Sequence, residues 1–255
     1  MSAKKLGFDR ECFKRLERLV TPDGIDILSR KHVMIFGLGG VGSWAAEAIA
    51  RSAIGSITIV DFDVVASTNI NRQLPAGHDT IGTSKVEVMT GRLSDICPSA
   101  RVRGLNIRLT TENIPQFFEK KVDYVIDAID DVPAKCALIN YCYRNDIKLV
   151  VSFGAGGRLD PSAIKVTDLA GTRVDRLGRA VRRRLRDEYG FPDGPFGIKA
   201  VWSEEIPREP FVFDDDVFKK KNKDLPFGTA CFITSVFGMF CASVVCREFL
   251  SGLKL

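Results

Sequence analysis

A glycine-rich stretch near the start of the chain has the spacing of a nucleotide-binding loop. Its glycines are Gly37, Gly39, Gly40 and Gly42, which contain the pattern G-x-G-x-x-G. The apolar residues 33–36 before the loop predict a buried strand, and residues 41–51 predict a helix, which is the context that this pattern needs. Backbone N–H groups and the helix N-terminus favour a phosphate at such a loop. The loop therefore predicts an adenine nucleotide, either ATP or a dinucleotide such as NAD.

Polar side chains with complementary chemistry follow the next predicted strands. They are Asp61, Asp63, Asn69, Arg72, Lys85, Asp130 and Asp131. In a parallel sheet the carboxyl ends of the strands meet at one ligand-binding edge. There Asp61 can accept hydrogen bonds from ribose hydroxyls, while Arg72 and Lys85 can neutralise phosphates and a leaving pyrophosphate. A carboxylate such as Asp130 suits magnesium.

This set favours ATP chemistry, because a dinucleotide oxidoreductase needs neither the two cations nor a metal-binding carboxylate. Taken singly, each residue has a simpler interpretation. Lys85 could be a solvated helix residue, and Asp130 or Asp131 could cap the following helix. The prediction of an ATP and magnesium site therefore depends on their joint placement.

Strands and helices alternate along the first 152 residues. Strands are predicted at 33–36, 57–60, 102–107, 124–127 and 149–152, and helices at 41–51, 83–96, 111–120 with Thr111 as N-cap, and 132–145. Beyond 157 we expect a strand at 164–166, an arginine-rich helix ending near Gly190, loops at 192–224 and an apolar helix at about 228–250. The alternation predicts an α/β, Rossmann-like, mostly parallel sheet with helices on both faces. We expect a single domain over 1–255, with its core at about 28–168 and a C-terminal extension at about 169–255.

Composition indicates a cytoplasmic protein. The seven cysteines include no C-x-x-C pair, which favours a reduced compartment and argues against a zinc site. Residues 1–10 lack the apolar segment of a secretory signal. The uncharged stretch 225–246 approaches the ~20 residues of a membrane span. Its proline, glycines and small polar residues favour a buried core or dimer helix instead, with no stable membrane insertion, although peripheral or single-span association stays open.

The combined motifs resemble the adenylating domain of the ThiF/MoeB superfamily over about residues 28–168. This resemblance implies a ubiquitin-activating-enzyme-like fold in which ATP and magnesium convert a carboxylate into an acyl-adenylate, with release of pyrophosphate. By matching position it assigns nucleotide and metal binding to Gly40, Asp61, Asn69, Arg72, Lys85 and Asp130. It also implies a homodimer in which an N-terminal arginine reaches the partner's site, and Arg18 is the candidate.

Further stretches resemble one branch of this superfamily, the tRNA threonylcarbamoyladenosine dehydratases. They are residues 39–48, 68–73, 125–130, 154–161, 166–170, 201–205 and 227–228. The branch implies adenylation of the threonyl carboxylate of a tRNA nucleoside, followed by cyclisation with net loss of water. It also implies tRNA as a partner, together with sulfur-transfer proteins. The seven arginines from Arg173 to Arg186 then predict a surface for tRNA phosphates rather than a merely solvated helix face.

Three other functions share some of these features. Activators of ubiquitin-like sulfur carriers use the same ATP residues, but they usually carry two C-x-x-C zinc pairs. An NAD-dependent oxidoreductase and a non-catalytic scaffold are both disfavoured by the polar set. One feature departs from the branch, because residues 223–226, before Phe227, contain no cysteine. Cys231 lies a helical turn after Gly228, so we expect it to be a packed helix residue and cyclisation to proceed without a thioester.

Overall fold

A seven-stranded sheet forms the centre of the computed structural model, which describes residues 9–213 and 227–253. The strands are β1 (His32–Phe36), β2 (Ser56–Asp61), β3 (Arg101–Asn106), β4 (Tyr124–Asp127), β5 (Leu149–Ser152), β6 (Ile164–Asp168) and β7 (Lys199–Ser203). Their order is β3-β2-β1-β4-β5-β7-β6, and every neighbouring pair is parallel except β6 with β7. The predicted α/β fold with a mostly parallel sheet is confirmed.

Helices cover both faces of this sheet. They are α1 (Lys14–Ser29), α2 (Gly42–Ala50), α3 (Lys85–Ile96), α4 (Val132–Arg144), α5 (Arg176–Tyr189) and α6 (Cys231–Leu250). Alternate residues of β1 point to opposite faces. Val33 and Ile35 pack with α1, α2, α3 and α6, whereas Met34 and Phe36 pack with α4 and α5. Burial on both faces explains the continuous apolar runs of the central strands.

Register places the ends of three central strands at one edge. Phe36 of β1 is paired with Val60 of β2 on one side and with Asp127 of β4 on the other. The segments that follow these strands, including the glycine loop, therefore emerge next to one another.

The prediction of a helix at 111–120 is wrong. The structure has only a short 3₁₀ turn at Ile114–Phe118. Pro115 lacks an N–H group and disfavours helical geometry at the residue before it. Thr111 does not cap this turn; instead the Asn113 side-chain oxygen accepts the Thr110 N–H at 2.9 Å.

The prediction of loops throughout 192–224 is also wrong, because that stretch contains β7. Ala200, Val201 and Trp202 are buried there between β5 and β6. Residues 214–224 lie outside the described part of the chain. The final apolar helix begins at Cys231 rather than at Gly228, and α1 was not predicted at all.

The apolar helix α6 lies against α2. A Cβ placed on Gly238 would come within 2.6 Å of the Val41 carbonyl oxygen and 2.8 Å of the Ala45 nitrogen, so the two backbones nearly touch. Within the described residues α6 is the one helix long and apolar enough to cross a bilayer, but half of it is buried inside the protein. It is a core helix.

Candidate nucleotide-binding site

A cavity of about 790 Å³ opens at the carboxyl edge of β1, β2, β4 and β5. That volume is in the usual range for a small-molecule site. Ten of the twelve residues predicted for the site line it: Gly37, Gly39, Gly40, Asp61, Asp63, Asn69, Arg72, Lys85, Asp130 and Asp131. The two exceptions are Gly42, at the start of α2, and Arg18, which lies exposed on α1.

The glycine loop is too compact for side chains at two of its positions. Gly37 has a φ of +86°, which favours glycine, and a Cβ there would lie 2.8 Å from the Ala128 carbonyl oxygen. A Cβ on Gly42 would lie 1.8 Å from the Gly37 carbonyl oxygen. The Ser43 hydroxyl closes the loop by donating to the Gly39 carbonyl at 2.6 Å. Gly42 therefore shapes the loop from beneath rather than lining the cavity.

Asp61 connects the glycine loop to the end of β2. One carboxylate oxygen accepts the Leu38 N–H at 2.5 Å, and the other accepts the Asp63 N–H at 2.8 Å. Each carboxylate oxygen has two lone pairs, so the group can still accept a hydrogen bond from a ribose hydroxyl.

The two cations are held at the cavity wall. Lys85 Nζ forms a 2.8 Å ion pair with Asp63, and the lysine side chain is only 6% exposed whereas that of Asp63 is 48% exposed. The interpretation of Lys85 as a solvated helix residue is therefore wrong. The Arg72 guanidinium donates to the Thr68 carbonyl at 2.8 Å and to the Asn71 side chain at 2.9 Å.

The adjacent aspartates after β4 have different roles. Asp131 caps α4 by accepting the Ala134 N–H at 2.9 Å. Asp130 is exposed at the cavity and makes no hydrogen bond or ion pair with the other described residues. No group of three or more potential metal ligands occurs among residues 9–213 and 227–253. One or two carboxylates without a full protein cage suit magnesium, which takes its other ligands from water and phosphates.

Asp127 ends β4 three residues before Asp130, but it does not line the cavity. It is fully buried and forms a 2.9 Å ion pair with Lys135 of α4, which is also fully buried. Burial raises the pKa of the Asp127 carboxyl, and the nearby Lys135 ammonium and Ile129 N–H partly offset that rise. Lys135 was missed because a lysine on a helix normally indicates a solvated position.

Gln73 is a second residue that the sequence did not single out as a ligand. It lines the cavity beside Arg72 and is 9% exposed. Its buried amide oxygen has no hydrogen-bond partner among the described residues.

Residues 152–156 form the far wall of the cavity. Hydrogen bonds and an ion pair through Asp175 connect this wall to the arginine-rich helix α5. The Gly154 N–H donates to Asp175 at 3.1 Å, and Arg158 forms a buried 3.2 Å ion pair with the same carboxylate. Asp175 also caps α5 by accepting the Gly178 N–H at 2.6 Å. Helix α5 therefore begins at the cavity.

The arginines of α5 and its preceding loop do not share one environment. Arg173, Arg176, Arg179 and Arg183 are exposed. Arg176 pairs with Glu209 at 2.8 Å and Arg183 with Asp187 at 3.3 Å. The side chains of Arg173 and Arg179 have no ion pair with any residue in the described part of the chain, which leaves two cations on this face without a carboxylate partner.

None of the seven cysteines, all of them within the described residues, lines the cavity. Cys231 is half-buried and does not line the cavity. Burial raises the pKa of Cys136 and of Cys241 to about 12, which keeps both as unreactive thiols.

Comparison with known proteins agrees with this arrangement. Residues 13–173 match the ThiF family. The chain is 42% identical over 246 residues to tRNA threonylcarbamoyladenosine dehydratase of Haemophilus influenzae, covering 93% of each chain. The solved structure of the Escherichia coli enzyme TcdA in complex with ATP is 39% identical, with a TM-score of 0.87 and 95% of each chain covered. A structure of that enzyme with AMP gives the same values.

An adenylyltransferase relative is more distant. Molybdopterin-synthase adenylyltransferase of Escherichia coli is 31% identical over 128 residues, which is 50% of this chain. The dehydratases instead match nearly the whole length, including the region of α5 and α6. The chain therefore belongs to the ThiF family and, within it, to the tRNA threonylcarbamoyladenosine dehydratases.

Proposed function

We propose that this protein is an ATP-dependent tRNA threonylcarbamoyladenosine dehydratase. It adenylates the threonyl carboxylate of threonylcarbamoyladenosine in tRNA and closes a ring with net loss of water. The observation that carries the proposal is the single cavity in which the glycine loop meets Arg72, Lys85 and Asp130. Full-length similarity to enzymes of that name, one of them solved with ATP, supports it.

ATP is expected to lie along the glycine loop with its ribose at Asp61. Arg72 and Lys85 then face the phosphates, and Asp63 orients Lys85 through their 2.8 Å ion pair. Both cations are pre-positioned by existing hydrogen bonds, so little reorganisation is needed when charge develops on the phosphates.

Asp130 is the residue that would hold magnesium. When bound, the metal would supply positive charge to the phosphate oxygens. The Asp130 carboxylate has no partner among the described residues and lies next to the Asp131 cap, which suits an ion that keeps several non-protein ligands.

The reaction then needs two bond exchanges. A threonyl carboxylate oxygen attacks the α-phosphorus of ATP, and the bond to pyrophosphate breaks. The neighbouring carbamoyl group next attacks the activated acyl carbon, AMP leaves with the carboxylate oxygen, and a proton is released. Ring closure joins two groups of one substrate, which favours it by proximity. No enzyme thiol is required, and Cys231 lies away from the cavity lining.

The exposed face of α5 is the proposed tRNA contact. Arg173 and Arg179 are cations without carboxylate partners in the described chain, and α5 begins at the cavity wall. Replacing both with alanine should reduce the salt dependence of tRNA binding by up to about two units of slope, roughly one per lost phosphate contact. Lys121, 89% exposed near the amino end of β4, provides the matched control, Lys121→Ala. Equal salt slopes for wild type and the double variant would reject this surface.

We also propose a cytoplasmic homodimer in which Arg18 reaches the partner's cavity. Arg18 is exposed on α1, and its neighbour Leu19 is an exposed apolar side chain. Arg18→Ala and Asp130→Ala should each be inactive, and a mixture of the two should recover activity because mixed dimers contain one intact site. No recovery in proven mixed dimers would contradict the shared site. The sulfur-transfer partner proteins stay a prediction from the resemblance.

Mass spectrometry of digested tRNA tests the reaction. Modified tRNA, ATP and magnesium should give AMP, pyrophosphate and a nucleoside lighter by one water, whereas Asp130→Ala should give none of these. An unchanged nucleoside with folded enzyme would reject the dehydratase. AMP formation that instead required the C-terminus of a ubiquitin-like carrier would support the sulfur-carrier activator.

A further inference from the structure

A buried ion pair lies directly behind the wall of the cavity. Lys135 on α4 and Asp127 at the end of β4 are both completely inaccessible, with 2.9 Å between Nζ and the carboxylate oxygen. Neither lines the cavity, but Ala128, Ile129 and Ala134, which neighbour them in sequence, do. The pair therefore borders the site through these neighbours and through Phe153, a cavity-lining residue whose ring centre lies 5.8 Å from Lys135 Nζ.

The contacts of Lys135 converge on the turn between β4 and α4. Its ammonium donates to the Ile129 carbonyl at 2.8 Å and to the Asp127 carbonyl at 3.4 Å, besides the carboxylate. Asp127 closes the turn from the other side by accepting the Ile129 N–H at 3.1 Å. One lysine thus bridges Asp127 and Ile129, and the residue after Ile129 is Asp130.

Asp130 depends on this backbone for its direction. Its side chain has no hydrogen bond or ion pair with the other described residues, so no neighbouring group orients it. Among the described residues, the turn is therefore what sets the position of Asp130 and the direction of its Cα–Cβ bond at the cavity.

Stability is a poor explanation for the pair. Removing two charges from water is costly, and an apolar pair of similar volume is often as stable or more stable. Here the second Asp127 oxygen is buried with no partner among the described residues, which adds to the cost. The buried pair of Lys135 and Asp127 is better explained by its effect on the β4–α4 turn, which its hydrogen bonds hold in one conformation.

We propose that Lys135 is a positioning residue for adenylation, which, together with Asp127, fixes the β4–α4 turn so that Asp130 faces the phosphates. This inference rests on the proposed function, because it assigns Asp130 a role there. It goes beyond that function by placing a requirement on a lysine that contacts neither nucleotide nor metal.

The decisive variant is the double replacement Asp127→Asn with Lys135→Met. It removes both buried charges while keeping similar volumes, so the core stays packed, but the Ile129 carbonyl loses its ammonium donor. The matched control is Glu47→Gln with Arg92→Met, which removes another ion pair with a buried carboxylate, between α2 and α3, where neither residue lines the cavity.

Three quantities should be measured on the full chain: the melting temperature, the affinity for ATP in EDTA and in magnesium, and kcat for AMP release with modified tRNA. For the Asp127/Lys135 variant we expect an unchanged melting temperature and ATP affinity in EDTA. The gain in ATP affinity on adding magnesium should disappear, and kcat should fall by about 10²-fold, as for a misplaced catalytic group. The control should keep wild-type kcat and the magnesium effect.

Wild-type kcat and an intact magnesium effect in the double variant would overturn the proposal. Unfolding at the assay temperature, or an equal loss of ATP affinity in EDTA, would also overturn it, since the pair would then be structural. If wild type released no AMP with modified tRNA, the proposed function would fail separately. The magnesium effect on ATP affinity would still decide the role of Lys135.

Discussion

Replacing Gly42 with alanine tests whether the shape of the glycine loop controls nucleotide binding. The added Cβ would lie 1.8 Å from the Gly37 carbonyl oxygen, 2.9 Å from its carbon and 3.1 Å from Ala128 Cβ. Carbon and oxygen atoms in close contact normally approach to about 3.3 Å. The start of α2 and the strand end at Gly37 must therefore move apart by about 1.5 Å, which is the contact distance less the 1.8 Å found.

This displacement is large for a phosphate-binding loop. A shift of about 1 Å at a site can lower the rate by about 10²-fold. Overpacking also costs about 1–3 kcal/mol of unfolding free energy. For a chain of this size that corresponds to a fall in melting temperature of about 2–4 °C per kcal/mol. We expect Gly42→Ala to remain folded and to lose ATP-dependent AMP release, measured together with its thermal melting curve.

Gly91 provides a matched control, since it also lies in a helix, α3. A Cβ at Gly91 meets no atom within 4 Å. Gly91→Ala should raise the unfolding free energy by about 0.5–1 kcal/mol, because alanine loses less backbone entropy than glycine in a helix. Its AMP release should be unchanged. If Gly42→Ala kept the wild-type kcat and KM for ATP, the steric argument would be refuted.

Three further predictions concern charged groups. Lys85→Met should cost at most about 1 kcal/mol of stability, because its partner Asp63 is half exposed, while AMP release should fall by about 10²–10³-fold. Asp175→Ala should lower the unfolding free energy, measured in urea, by about 3–5 kcal/mol because it leaves the buried Arg158 unpaired. Loss of the α5 cap should remove about 1 kcal/mol more, and a total loss below about 1 kcal/mol would contradict this prediction. Burial alone would raise the pKa of Glu47, but hydrogen bonds from its arginine partners outweigh it and the net shift is downward. The stabilisation from Glu47 is therefore present above its ordinary pKa of 4.5 and lost as the pH falls below it, so melting curves of wild type and Glu47→Gln should converge in acid.

Local patterns predicted most of the elements around the site. β-branched and apolar runs marked β1, β2, β4 and β5, and the glycines marked the turn into α2, because those signals depend on neighbouring residues only. Since parallel strands end at one edge, the polar residues after β2 and β4 could be expected to meet, and ten predicted residues line the cavity.

Elements defined by distant contacts or by irregular geometry were missed. Helix α1 contains Pro22 and a kink at Thr21, where φ is +65°, so its periodic pattern is interrupted. Strand β7 is recognisable only once it lies between β5 and β6, whose residues are far away in sequence. Lys135 is hidden for another reason: its partner Asp127 is only eight residues away, but the burial of both side chains results from the packing of α4 on the sheet.

Helix α6, which carries no charge over residues 231–246, shows how an apolar segment can serve a polar site. A membrane span would face lipid on its outer surface, whereas Gly238 of α6 lies against the backbone of α2. Nearer the start of the same helix, Thr234 lies 3.0 Å from the point where a Cβ on Gly40 would sit, and it lines the cavity. Just before α6, the Thr229 carbonyl accepts a 2.9 Å hydrogen bond from Asn71, beside Arg72. The absence of a side chain at Gly238 therefore lets α6 pack closely enough against α2 to support the glycine loop from behind.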